Sequence, residues 1–297
     1  MLDSTTEVRA GDRFAFGANW MSFVEVVDDV RIDTATASLT TALGLTGPPE
    51  GKRLDGRTFL DAGCGSGLFS LAATRLGARV HAFDFDPASV AAATELRRRF
   101  APHSDWRIET GSVLDPDYLA GLGQFDVVYS WGVLHHTGRL WTALAGVTDL
   151  VAPGGRLYIS VYNDQGFASR AWRRVKRRYN RSGPALRAAL VGLSAVYLAR
   201  HRPLQTLIGA VRLGTGHRRP APARPAPRTR GMSRRHDLVD WVGGYPFEVA
   251  KPEEVFRFLT GRGFELRHLT TCGGGLGCNE YVFERVGTGR RVTAPAQ

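Results

Sequence analysis

Residues 58–84 read TFLDAGCGSGLFSLAATRLGARVHAFD. The stretch predicts a strand, a glycine-rich turn, a helix and a second strand. The first strand takes in Thr58, Phe59 and Leu60 and ends on Asp61. The turn is Gly63, Cys64, Gly65, Ser66 and Gly67, and the helix runs roughly from Leu68 to Leu76. Gly77 then stands where a helix prefers a left-handed stop. The second strand, Arg79 to Phe83, ends on Asp84. The glycines let the backbone come close to a ligand that a Cβ would hold off. The free N–H groups of the following helix point to the same place, and an acid at the tip of the second strand can accept both hydroxyls of a ribose.

DAGCGSG, with Asp84 placed 23 residues after Asp61, resembles motif I and the ribose acid of the class I S-adenosylmethionine (SAM) methyltransferases. A dinucleotide-binding turn would want G-x-G-x-x-G. Here the sixth position is Leu68, and that motif has no use for an acid at Asp61. The resemblance implies an α/β fold: a Rossmann-like, seven-stranded, mostly parallel sheet with an antiparallel last strand and a helical insert before the sixth strand. It implies SAM as cofactor, with Asp61 tied to the methionine end, Gly63, Cys64, Gly65 and Gly67 forming the cradle, and Asp84 on the ribose. Phe85 would lie against the adenine, and Ser112 with the N–H of Val113 would meet its polar edge. The turn that starts at Ser130 would pass beneath the sulfur. The broader likeness is to bacterial small-molecule methyltransferases, including the ubiquinone-biosynthesis O-methyltransferase type. It does not fix the acceptor atom.

Outward from this stretch, Asp86 and Pro87 form a cap and first helical residue. Trp106 to Glu109 read as a third strand, and Phe125 to Ser130, apolar on both faces, as a buried parallel strand. Ligands in open α/β sheets sit beyond the carboxyl ends of the strands, which puts SWGVLHHTG at the active face. Neither histidine there has partners at zinc-like spacing. His136 reads as a satisfied polar group at a helix start. His135 is the candidate general base, because a neutral imidazole titrates near working pH. Arg156 to Tyr162 read as the fifth strand, and Tyr162 and Asn163, where it ends at the active face, are candidate substrate ligands.

Residues 1–57 carry Phe14, Phe16, Trp20 and Phe23 close together. They read as helix packing on the sheet edge or as a helical lid that brings Trp20 to the ligand. Residues 58–164 form the SAM-binding core and 251–286 its C-terminal part, with 287–297 as a tail. Between them, 165–250 form an insert. The net charge of +11 is concentrated there: Gln165 to His236 hold 18 Arg and Lys and no acid, leaving 21 basic and 28 acidic residues elsewhere. Phe167–Asn180 predicts an arginine-rich helix with Phe167, Trp172 and Val175 on one side. Pro184 to about Arg200 predicts an apolar helix, Pro203 to Leu213 another short piece, and about 215–230 a Pro/Arg-rich linker. The insert reads as a substrate cap. Open alternatives are peripheral contact with an anionic membrane, docking of an acidic carrier protein, or a solvated face with a dimer contact. No RNA-binding module is visible, which speaks against a nucleic-acid partner. Residues 231–250 read as a loop dense in polar and aromatic groups, from which His236, Trp241 and Tyr245 would shape the acceptor site.

Three cysteines give no disulfide framework, Cys272 and Cys278 read as small buried residues, and no metal site is expected. The N-terminus lacks an apolar signal region, and no stretch reaches the ~18–20 apolar residues of a membrane span. A cytoplasmic enzyme is the expectation. It would transfer methyl from SAM to a small molecule, on a hydroxyl first, with N- or C-methylation, RNA methylation or a non-catalytic SAM-binding regulator as alternatives. The oligomeric state is left open.

Overall fold

The computed structural model describes residues 4–47, 52–199, 230–231 and 234–286. The expected piece 203–213, the linker except Arg230, and the tail lie outside the described residues. The elements in chain order are α1 (Ser4–Ala10), α2 (Phe16–Val24), α3 (Asp29–Ala42), β1 (Thr58–Ala62), α4 (Leu68–Arg75), β2 (Arg79–Asp84), α5 (Pro87–Phe100) and β3 (Trp106–Thr110). They continue with α6 (Pro116–Ala120), β4 (Phe125–Trp131), α7 (Leu140–Asp149), β5 (Val151–Tyr162), α8 (Phe167–Asn180) and α9 (Pro184–Ala199). After the undescribed segment come α10 (Arg234–Gly243), α11 (Pro252–Thr260), β6 (Phe264–Thr270) and β7 (Cys278–Arg285).

The seven strands form one sheet in the order β3-β2-β1-β4-β5-β7-β6. β1 to β5 pair in parallel, and β7 runs antiparallel to both β5 and β6. This is the α/β architecture the motif implied. Register puts Asp61 level with Ala82 and Tyr129, so the carboxyl ends of the central strands open onto one edge. Strand side chains alternate between faces. Phe59 and Tyr129 pack on one side with α4 and α5, while Leu60, Val128 and Ile159 pack on the other with Leu144, Val147 and Leu259. β5 starts earlier than its apolar run suggests, at Val151. Its pairing with β4 shifts register between Phe125 and Val127, which pair with Val151 and Arg156, so residues 152–155 of β5 bulge out of the ladder.

Two local expectations are corrected. Residues 234–243 are helical rather than loop: Val242 is fully buried and packs with Phe14 and Tyr179, a helical face hidden in the sequence among acids and aromatics. Phe167 does not join the buried side of α8 but is 73% exposed at its first turn. The face that docks is Trp172, Lys176 and Tyr179, at spacings of one and two helical turns.

Lys176 is fully buried and has no carboxylate at ion-pair distance among the described residues. Its ammonium donates to the backbone carbonyl of Trp241 and lies 4.7 Å from the Trp241 ring, 4.8 Å from Phe247 and 5.3 Å from Tyr162. Burial pushes its pKa down to about 7, partly offset by the field of Asp240. The unfolded chain holds this proton up to a pKa of about 10.4. From pH ~7 to ~10 the unfolded state therefore binds more protons and stability rises with pH. Lys176→Met removes the ion, and exchanging buried charge for apolar volume is often neutral or favourable. In urea unfolding the variant should be at least as stable as the wild type at pH 7, and the difference should shrink by pH 9.5. A large loss at pH 7 would show that the cation–aromatic contacts outweigh desolvation.

Candidate active site

A cavity of about 780 Å³ opens at the carboxyl edge of the sheet, within the ~300–1,000 Å³ typical of small-ligand sites. Its walls come from the β1–α4 turn, the tip of β2, residues 111–114, the end of β4, the N-terminal helices and α10.

The turn is tied to β2 by hydrogen bonds. The Gly63 and Cys64 amides donate to the Phe83 carbonyl at 2.8 and 3.0 Å. Gly65 N–H donates to Asp84 Oδ2 at 2.9 Å and Asp86 N–H to Asp84 Oδ1 at 2.9 Å. Asp86 caps α5 through Ala88 N–H with one oxygen and takes the Gly17 N–H of α2 with the other, at 2.9 Å. The start of α2 is thus bonded to the β2 loop. Gly65 has φ +53°, and a Cβ there would lie 2.9 Å from Trp20 Nε1, so the residue the glycine admits is Trp20. Gly67 plays a different part from the one expected: a Cβ at Gly67 would meet Ala93 and Trp106 at 2.9 Å, so its smallness serves helix packing.

Asp61 accepts the Ser70 hydroxyl at 2.6 Å, and burial pushes its pKa up to about 7. Burial likewise raises Asp84 to about 6, against the two amides that favour its charged form. Neither has a cation within ion-pair distance among the described residues. Acids placed in a cavity without a counter-cation suit a positively charged ligand, and SAM carries a sulfonium and an ammonium. The donor set therefore fits the cofactor implied by the motif. Two more acids, Asp237 and Asp240, face the cavity from α10. Asp240 accepts Asn19 Nδ2 at 2.8 Å, and burial lifts it to about 8.

Trp20, Cys64, Phe85, Ser112, Val113, His135, Tyr162 and Trp241 also line the cavity, with Gly63 and Gly65. The His135 ring sits 4.2 Å from that of Tyr162 and 4.4 Å from that of His136. Burial, with the nearby Lys176 cation, pushes His135 down to about 3 and leaves a neutral imidazole. His136 Nδ1 donates to the Pro246 carbonyl at 2.6 Å.

The other expected residues lie off the wall. Ser130 is fully buried and its hydroxyl donates to the Ala62 carbonyl at 2.7 Å, joining β4 to β1. Asn163 accepts from Asn279 Nδ2 at 3.1 Å and donates to Gly275 O at 3.3 Å, which fixes the β6–β7 connection. His236 meets the Ser22 hydroxyl at 3.3 Å and the edge of Phe23. Tyr245 packs with Tyr162, Trp172 and Phe247 behind the cavity. Cys272 and Cys278 are free and half-buried rather than buried, and Cys278 reaches the wall. Among the described residues no cluster of metal-binding groups occurs. Sequence reading passed over Arg13, Trp131 and Arg230. The density of acids around His236 pointed toward Asp237 and Asp240, but nothing distinguished Arg230 from the Pro/Arg run that precedes it.

Residues 60–157 match the model of a family described as a methyltransferase domain. The chain is 29% identical over 176 residues to the ubiquinone biosynthesis O-methyltransferase of Xanthomonas oryzae pv. oryzae, covering 54% of this chain and 67% of that protein. It is 34% identical over 110 residues to the protein of the same name from Xanthomonas campestris pv. campestris, covering 37% and 45%. The structure of magnesium protoporphyrin IX methyltransferase from Synechocystis PCC 6803 with bound SAM superposes with a TM-score of 0.51 at 16% identity, over 96% of this chain and 98% of that one. That likeness shows the fold.

Protonation of Asp61 gives a stability test. Its folded pKa of about 7 lies above the unfolded value of ~3.9. Its contribution is therefore full below pH ~4 and is lost as pH rises through ~7. The buried neutral histidines push the opposite way in part of this window, so the difference between wild type and Asp61→Asn isolates the acid. In thermal unfolding without ligand, wild type should lose stability relative to Asp61→Asn from pH 5 to 8. A constant difference would place the raised pKa elsewhere.

Proposed function

We propose that this chain, a class I SAM-dependent methyltransferase, methylates a hydroxyl of a small, flat acceptor held between the sheet edge, the N-terminal helices and the insert. The observation that carries this reading is one cavity with two differently built halves. Around Asp61, Asp84 and the glycine turn, acids and backbone polar groups suit the cofactor. Around Phe14, Phe16, Tyr162, His135 and Trp241, rings and a neutral imidazole suit an uncharged aromatic acceptor. The relatives named O-methyltransferases support oxygen as the acceptor atom.

When bound, SAM supplies an electrophilic methyl on a sulfonium. The chain would hold it through Asp84 at the ribose, Phe85, Ser112 and Val113 at the adenine, and Asp61 with the β1–α4 turn at the amino-acid end. What remains for the protein is to set the acceptor oxygen in line and keep water out, which is worth roughly 7–11 kcal/mol in effective-molarity terms. Trp20 and Trp241 on the cavity wall would serve that purpose. A hydroxyl must also lose a proton. His135 at about 3 is a weak base but an available hydrogen-bond acceptor, so it orients the hydroxyl. Asp240 at about 8 lies nearer to working pH, where a general base is most effective. The proton is assigned to Asp240.

Asp84→Ala should weaken SAM binding in calorimetry by about 1.5–3 kcal/mol for each hydrogen bond lost from the charged group. Unchanged affinity would remove Asp84 from the ribose. With labelled SAM and a panel of phenols, the expected product is a methyl ether. Asp240→Asn should cut turnover about 100-fold, while His135→Ala should mainly raise the acceptor KM. Products methylated only on nitrogen or carbon would overturn the choice of oxygen.

A further inference from the structure

Arg230 is the first described residue after α9, and it reaches back into the core. It is 6% exposed and lines the cavity. Its guanidinium lies 3.7 Å from the centre of the Trp131 ring and 4.3 Å from that of Phe69. One terminal nitrogen donates to the Tyr129 hydroxyl, while Nε is buried without a partner. No carboxylate lies at ion-pair distance among the described residues. The guanidinium's direct contacts are two rings and a phenol, and Glu280 favours the charged form only through its field, from beyond ion-pair distance. The planar fork of arginine donors matches a carboxylate.

The other arginines on the cavity wall do not share this condition. Arg13 is paired with Glu7 at 2.5 Å and donates to the His136 carbonyl. Arg139 is exposed. Arg230 is the buried, unpaired cation of the site among the described residues. It also lies in the electrostatic field of two cavity acids, Asp61 and Asp237, each of which it helps to hold ionised. An α-amino acid head presents an ammonium and a carboxylate on one carbon. Its receptor must therefore set an acid beside a cation, and Arg230 with Asp61 and Asp237 is such a set. SAM carries one carboxylate, in its amino-acid head.

We propose that Arg230 receives the α-carboxylate of SAM, so that the segment returning from the basic insert supplies part of the cofactor site. This rests on the reading of the cavity as the SAM site. Gly231 fixes the arginine in place. It has φ +81°, a Cβ on it would lie 2.4 Å from the Arg31 carbonyl, and Arg31 Nη1 donates to the Gly231 carbonyl at 3.2 Å. The main chain beside Arg230 is thereby pressed against the start of α3.

The test is calorimetric titration of the full chain and of Arg230→Met and Arg230→Lys. The three ligands are S-adenosylhomocysteine, its decarboxylated analogue, which keeps the amine, and 5′-methylthioadenosine, which has no amino-acid head. Wild type should prefer S-adenosylhomocysteine over the decarboxylated analogue by roughly 10- to 100-fold, the range of a hydrogen bond to a charged group. Arg230→Met should lose that preference while binding 5′-methylthioadenosine as wild type does, and Arg230→Lys should keep part of it. Equal weakening toward all three ligands would make Arg230 a structural plug and overturn the proposal. So would an undiminished preference in Arg230→Met. If wild type binds none of the three, the cofactor reading itself falls and takes this proposal with it. Unchanged 5′-methylthioadenosine affinity also reports that Arg230→Met is folded at the site.

Discussion

The Asp84 carboxylate is the hinge of the cofactor face. It receives the amide protons of Gly65 and Asp86, one on each oxygen. The first bond fixes the glycine turn to the tip of β2. The second fixes Asp86, which in turn caps α5 and accepts the Gly17 N–H at the start of α2. One line of hydrogen bonds therefore runs from the sheet through the turn to α2, and Trp20 lies against Gly65 because of it. A carboxylate with these bonds still has lone pairs to offer into the cavity. The group that orders the apo turn is thus the one assigned to the ligand.

Electrostatics divide the molecule in a way that net charge conceals. The exposed side of α8 is arginine, whereas its buried side places one lysine among three rings. Inside the cavity Asp61, Asp84 and Asp240 are raised by burial, and Arg230 is buried with no carboxylate at ion-pair distance among the described residues. Buried charge without a counter-ion is costly to a folded chain. Concentrated in a cleft, such groups mark a site built for a charged ligand, and a cofactor bearing both signs of charge fits the distribution found here.

Legibility in the sequence followed the range of the interaction. Residues 58–87 announced strand, turn, helix, strand and the start of the next helix because each signal is local: apolar runs, clustered glycines, an Asp–Pro helix start. The order of the sheet was legible through the family likeness. What could not be read were contacts that depend on how the insert folds back. The helix at 234–243 was obscured because its apolar face is shared with Phe14 and Tyr179, remote in sequence. Ser130 and Asn163 stand at the right strand ends, yet their side chains are spent on Ala62, Gly275 and Asn279. No pattern told Gly67, a packing glycine, from Gly65, or Arg230 from the arginines before it. Placement of a side chain on the cavity wall is a tertiary property: a position at or past a strand end brought Asp61, Asp84, Ser112, His135 and Tyr162 there, but not Ser130 or Asn163.

The most direct test of the account is calorimetric titration of the full chain with SAM and S-adenosylhomocysteine. One site per chain is expected for each ligand, with the two competing for it. Saturating concentrations of either that release no heat and leave the unfolding temperature unchanged would contradict it, because the acids at the ends of β1 and β2 would then be placed for some other ligand.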